Sequence, residues 1–108
     1  DLYWEQDAQF RFRHFDGPEI LLARLPAERI LGRQRWQIEE IAGIDESAWA
    51  AHRAVLERHE PFRNFIYRIA AADGGRCWFC VSGNPRFDDA GEFIGYHGVT
   101  SDITLQVE

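Results

Sequence analysis

The residues that could do chemistry are few, and their spacing argues against most of what they suggest. Cys77 and Cys80 form a Cys-x-x-Cys stretch, a spacing used by redox pairs and by half of a zinc site. Here Trp78 and Phe79 stand between them in a strand-like run, and residues three apart on a strand point to opposite faces. The chain has no second Cys pair, so both are read as reduced thiols. His52 and His59 share one helical face with Trp49, Val55 and Leu56. Seven residues place the two imidazoles roughly 10 Å apart along the helix axis, too far to share one metal. Ser47, Ser82 and Ser101 have no elbow motif and no base at diagnostic spacing. Asp88-Asp89 beside Gly91 lacks the ladder of oxygens that calcium requires and reads as turn chemistry. Nothing in these patterns supports catalysis, and the chain is read as a non-enzymatic domain.

The elements that must position these residues fit one domain over residues 1–108. A chain of 108 residues supports one core, and an apolar share of 45% with 28% charged residues suits a globular fold without disulfide or metal staples. The net charge of −6, with the twelve Lys and Arg scattered among eighteen acids, argues against a nucleic-acid partner. No apolar run approaches the ~20 residues needed to span a bilayer, so direct membrane insertion is not expected. The chain has no initiator Met and reads as a cytoplasmic piece of a larger protein, including one anchored to a membrane elsewhere.

Leu2-Tyr3-Trp4-Glu5-Gln6 and Phe10 to Phe15 read as two antiparallel strands joined by Asp7-Ala8-Gln9. The second alternates, with Phe10, Phe12 and His14 expected on one face and Arg11, Arg13 and Phe15 on the other. A short helix is expected from Pro26 to Leu31, closed by Gly32, and the best helix from Glu46 to His59, with Asp45 as its cap and Pro61 as its stop. From Phe62 the apolar period changes to two. Three strands follow, separated by turns at Asp73-Gly74-Gly75 and Asp88-Asp89-Ala90-Gly91. This order is that of an α+β domain with helices on one face of an antiparallel sheet.

The stretches Trp78-Phe79-Cys80-Val81-Ser82-Gly83-Asn84-Pro85 and Phe87-Asp88-Asp89-Ala90-Gly91-Glu92-Phe93-Ile94-Gly95-Tyr96, closing with Asp102-Ile103-Thr104, resemble the C-terminal signature of the PAS domains. Ile30-Leu31-Gly32-Arg33 and Trp49-x-x-His52 resemble further family signatures. The resemblance implies a five-stranded antiparallel sheet in the order 2-1-5-4-3. It also implies a sensory module whose occupancy changes the output of a neighbouring diguanylate cyclase (GGDEF), phosphodiesterase or two-component histidine kinase domain, acting as a homodimer. Light-sensing members carry a Cys that bonds to flavin. The matching stretch here, Gly32-Arg33-Gln34-Arg35-Trp36-Gln37-Ile38, holds Arg35 at that position, which excludes a cysteinyl-flavin adduct. Haem-binding members use a His on the long helix, so His52 and His59 raise haem as an alternative cofactor.

Within such a fold a small-molecule pocket is expected from His97, Tyr67, Phe65, Phe79 and Val81, with His52 and Trp49 on the facing helix. Alternation is taken to place Gly95 and His97 inward, where His97 would be a polar donor among aromatics. A His satisfied by a backbone carbonyl in a filled core is the alternative, and a ligand-free dimerisation scaffold its functional counterpart. Asp102, Ile103 and Thr104 are expected to transmit the signal into a following helix. Because Arg35 stands where a thiol is needed, protein mixed with flavin is expected to show no absorbance loss under blue light that recovers in the dark; a reversible bleach refutes this.

Overall fold

The computed structural model describes residues 1–107; Glu108, the last residue of the expected domain, lies outside them. The chain runs β1 (Leu2–Gln6), β2 (Phe12–Asp16), α1 (Glu19–Arg24), α2 (Ala27–Ile30), a 3-10 turn (Arg35–Gln37), β3 (Ile41–Ala42), α3 (Glu46–Glu57), β4 (Phe62–Ala70), β5 (Arg76–Phe87), β6 (Phe93–Asp102) and α4 (Thr104–Val107). The sheet has six strands in the order β2-β1-β6-β5-β4-β3, with every pairing antiparallel. The expected count of five is corrected by β3, a two-residue edge strand in which Ile41 pairs with Ile69. Two residues are too few to show any period. The five long strands keep the expected relative order.

One face of the sheet is buried. Its inward positions are Leu2, Trp4 and Gln6 on β1, Tyr67 and Ile69 on β4, Cys77, Phe79 and Val81 on β5, and Tyr96 and Thr100 on β6. Leu25, Ile30, Ile38 and Leu56 close over them from the helical side. Cys77 is buried and Cys80 half-buried, both are free, and the odd spacing does send them to opposite faces.

Three local expectations change. The helix α1 is absent from the sequence reading, because Ile20, Leu21 and Leu22 are contiguous rather than spaced on one face. A β-bulge interrupts the pairing of β1 with β2, so that Glu5 faces His14 while Gln6 faces Phe12. The bulge breaks the alternation: Phe12 is buried and stacks on Phe15 at 5.3 Å, while His14 is exposed. The long helix ends at Glu57, two residues early, where His59 takes a left-handed backbone (φ 56°) and stacks on Phe93 at 3.7 Å.

The tightest part of the core lies under the Trp4 indole. In register, Trp4 faces Gly98, and Gly98 faces Gly83. A Cβ at Gly98 would overlap the Ser82 carbonyl oxygen and lie 2.8 Å from a carbon of the indole; one at Gly83 would lie 2.8 Å from both Trp4 and Phe62. The absence of side chains on two paired strands is what lets Trp4 lie flat in the core. Gly98→Ala is therefore expected to destabilise the fold by about 3 kcal/mol or more. Chemical denaturation checks this, and a loss below about 0.5 kcal/mol refutes the close packing.

Candidate functional site

Segment 32–34 is pinned against β2: the Phe12 amide donates to the Arg33 carbonyl (3.0 Å) and the Gly32 amide to the Phe12 carbonyl (2.9 Å). The Gln34 amide donates to Gln37 Oε1 at 3.0 Å, closing the 3-10 turn. Together these contacts drive Arg35 into the core, where it is 1% exposed. Its guanidinium carbon lies 4.8 Å from the Trp4 ring centroid and 4.9 Å from that of Phe12, with Phe62 and Tyr67 at 5.8 and 6.0 Å. Such faces attract a cation.

Arg35 Nη1 lies 3.4 Å from His52 Nε2. A guanidinium only donates, so His52 accepts at Nε2 and is the neutral tautomer with its proton on Nδ1. Burial, reinforced by the charges of Arg35 and Arg53, pushes the His52 pKa down to about 3. The ring stacks on Phe65 at 4.2 Å and meets Phe62 edge-on at 4.8 Å, with Trp49 packed beside both His52 and Phe65.

Between this cluster and Ile30 of α2 lies a cavity of about 20 Å³ whose walls also include Leu2, Trp4, Phe12, Leu25, Arg35, Tyr67, Phe79 and Thr100. A smaller one, about 10 Å³, adjoins it and shares Leu2, Phe79 and Thr100; its outer wall is Leu21 and Arg24 of α1, with Cys77 and Asp102 opposite. Burial raises the Cys77 pKa, so the thiol keeps its proton.

Of the residues expected in the pocket, Tyr67 and Phe79 line the main cavity, and His52 reaches it through Arg35. Trp49 and Phe65 pack around His52, and Val81 is fully buried in the core. His97 is not there. It faces the outer side of the sheet, half-buried in an open depression with Tyr3, Arg63, Ser82 and Asn84, its Nδ1 3.4 Å from the Tyr3 hydroxyl. Alternation has two phases, and Trp4 selects between them: only glycines fit beneath its indole, so Gly98 faces inward and His97 outward, paired with Glu5 and Asn84. Tyr96, buried on the adjacent inward position, donates its hydroxyl to the Glu60 carbonyl at 2.6 Å.

Two features were missed in the sequence. The sequence reading takes Arg35 only as the absence of a thiol. Arg24 gave no signal, since α1 itself was not legible. Haem does not fit these residues: the cavity is far smaller than a macrocycle, His52 Nε2 faces Arg35, and His59 is exposed at the helix end.

At the exit of the chain, Asp102 Oδ1 accepts the Thr104 amide at 3.0 Å and also the Thr104 hydroxyl. That hydroxyl oxygen accepts the Trp78 amide at 3.0 Å, and the Ile103 amide donates to the Trp78 carbonyl at 2.8 Å. The side-chain acceptor at the start of α4 is thus Asp102 and not Thr104 as expected: its oxygen takes the amide of Thr104, the first residue of the helix. Asp102 Oδ2 pairs with Arg24 Nη1 at 3.3 Å, and Arg24 Nε approaches Asp73 in the β4–β5 turn at 3.5 Å.

His52 carries a pH signature. Its folded pKa lies below the unfolded value of 6.5, so the unfolded chain takes up a proton that the folded chain refuses as pH falls from about 6.5. Stability is therefore complete above that pH and declines toward pH 3. His52→Gln keeps an acceptor for Arg35 but does not titrate. Between pH 7 and 4.5, urea unfolding is expected to show the parent losing on the order of 2 kcal/mol more than this variant; equal losses refute a neutral buried His52.

No family model matches the chain. A 49-residue stretch is 41% identical to the Sinorhizobium fredii protein y4lL, covering 45% of this chain and only 6% of that protein's length. Among solved structures, the N-terminal domain of a Marinobacter aquaeolei diguanylate cyclase with PAS/PAC sensor is similar at 21% identity and a TM-score of 0.68, covering 99% of this chain and 98% of that one. The Drosophila melanogaster Cycle PAS-B domain with bound ethylene glycol is similar at 15% identity and a TM-score of 0.69, covering 94% of this chain and 99% of that one. An RNA-binding light-oxygen-voltage receptor gives a TM-score of 0.77 at 19% identity, covering 98% of this chain and 30% of that one. Identities this low speak to architecture, and with the strand order and the helical layer over the inner face they establish one thing: the chain has the PAS fold.

Proposed function

We propose that this chain is the signal-input module of a larger signalling protein, in which a small molecule taken up between the sheet and α1–α2 alters the seating of α4. The observation that carries this reading is the position of Arg24. It walls the smaller cavity on one side, and on the other it pairs with Asp102, which accepts the first amide of α4. One side chain thus connects the cover of the interior to the exit of the chain. Occupancy would move α1, loosen or tighten the Arg24–Asp102 pair, and bias the angle at which α4 leaves the sheet, provided the ligand binds the two arrangements with different affinity. In this reading the module acts as a cytoplasmic homodimer upstream of an output domain such as a diguanylate cyclase, a phosphodiesterase or a histidine kinase.

A ligand-free dimerisation scaffold is the second reading. It is favoured by the size of the main cavity, about 20 Å³, since this holds roughly one water. Mass spectrometry of protein released from a native complex separates the two, as a scaffold carries no stoichiometric small molecule.

Asp102→Ala in the full-length protein is expected to cost about 1–2 kcal/mol, from the lost amide acceptor and a half-exposed ion pair. It should leave the domain folded and ligand-competent while uncoupling ligand from output, and Arg24→Ala should do the same. Normal ligand-dependent output from a folded Asp102→Ala protein rejects the coupling.

A further inference from the structure

Arg35 is a cation without an anion. Every other ion pair among the described residues lies toward the surface: Arg24 with Asp73 and Asp102, Arg29 with Glu40, Arg53 with Glu46, Arg58 with Glu60, Arg86 with Glu5. Among the described residues Arg35, at 1% exposure, has no carboxylate within ion-pair distance, and its Nε has no hydrogen-bond partner. Its one polar side-chain neighbour, His52, lends a lone pair but no charge. A guanidinium cannot shed its proton to escape burial, and aromatic faces offset only part of the lost hydration. The same side chain borders the main cavity, whose exposed lining is apolar, so a ligand reaches the guanidinium only by shifting that lining.

We propose that the ligand of this cavity is a small monocarboxylate, its oxygens on Arg35 and its short apolar tail against Leu25, Ile30 and Ile69. This rests on the small-molecule reading above and specifies its chemistry. One negative charge neutralises one guanidinium, and a carboxylate matches the planar fork of donors. A phosphate or dicarboxylate would bring a second charge, and the other cation nearby, Arg24, is already paired with Asp73 and Asp102. The cavity holds roughly one water as it stands, so any acid requires it to widen, and short chains require least. Further room lies in the adjoining space of about 10 Å³ behind Leu2 and Phe79. That adjoining space is covered by Leu21 and Arg24 of α1, a helix with no buried residue and no side-chain cap, the kind of segment that opens at least cost.

The test is a thermal-unfolding and calorimetric titration of the protein with sodium acetate, propionate and butyrate against acetamide, propionamide and butyramide. Sodium sulfate holds ionic strength constant, and sodium chloride serves as a halide control. At least one acid is expected to give a saturable Tm rise of about 4 °C or more, with its amide giving none. Arg35→Met, similar in length and uncharged, is expected to bind that acid at least about 100-fold more weakly. Acids and amides binding alike overturns the anion and leaves the small-molecule reading standing. So does a response to benzene alone. Chloride matching the best acid overturns the carboxylate class. Unaltered acid binding by Arg35→Met places the anion elsewhere and overturns the proposal. Silence from every probe, benzene included, overturns the proposal and the small-molecule reading together. Should Arg35→Met not fold, the contrast between acid and amide in the parent protein decides alone.

Discussion

A guanidinium without a carboxylate partner among the described residues sits in the middle of this core, and the packing around it follows from that. Arg35 enters because the strand-like stretch before it is bonded to Phe12, which leaves the side chain no outward path. Once inside, it requires π faces and lone pairs in place of water. Trp4 and Phe12 supply the faces, and His52 supplies a lone pair. Each neighbour is constrained in turn. His52 must stay neutral, and it is held in one orientation by stacking on Phe65. The aromatic cluster therefore does more than fill volume, because it makes the interior tolerable to a cation.

Trp4 is also the residue that sets the phase of the sheet. Its indole lies over the backbone of two strands at Gly83 and Gly98, so the strands can present only those residues at that point. Period-two geometry then propagates along β5 and β6, sending Val81, Thr100 and Tyr96 inward and Asn84, Val99 and His97 outward. A single bulky side chain thus decides which residues face the interior and which face outward. His97, Tyr3 and Glu5 form a polar group on the outer face, connected to the interior only through the strands that carry them.

The exit of the chain is built on the same economy of contacts. Asp102 serves as acceptor of the first α4 amide and as the partner of Arg24, so the start of α4 and the end of α1 share one carboxylate. Trp78 closes the group through its amide and carbonyl, tying the joint to β5. A half-exposed ion pair contributes little to stability. Under the proposed function, such a pair could take either of two arrangements without unfolding the domain.

The five long strands, the position of the long helix and the turns between them were legible in the residues, because each rests on local rules. Apolar alternation marks β4 and β5, Asp45 marks the start of α3, and Gly-rich turns separate the hairpins. That Asp102 would accept a backbone amide was legible for the same reason, since such bonds are local. The identities of Tyr67, Phe79 and His52 as interior residues followed from period alone. The side on which His97 lies did not, since Gly95-Tyr96-His97-Gly98 satisfies either phase, and only the contact of Trp4 with Gly98, ninety-four residues away, chooses one. The bulge at β2, the two-residue β3 and the six-residue α1 were equally hidden, being too short or too irregular to carry a period. Arg35 was hidden most deeply. Solvation alone would place an arginine on the surface, and what puts this one inside is the pairing of the segment before it with β2 together with aromatic rings brought from β1, β2 and β4, a coincidence that exists only once the chain has folded.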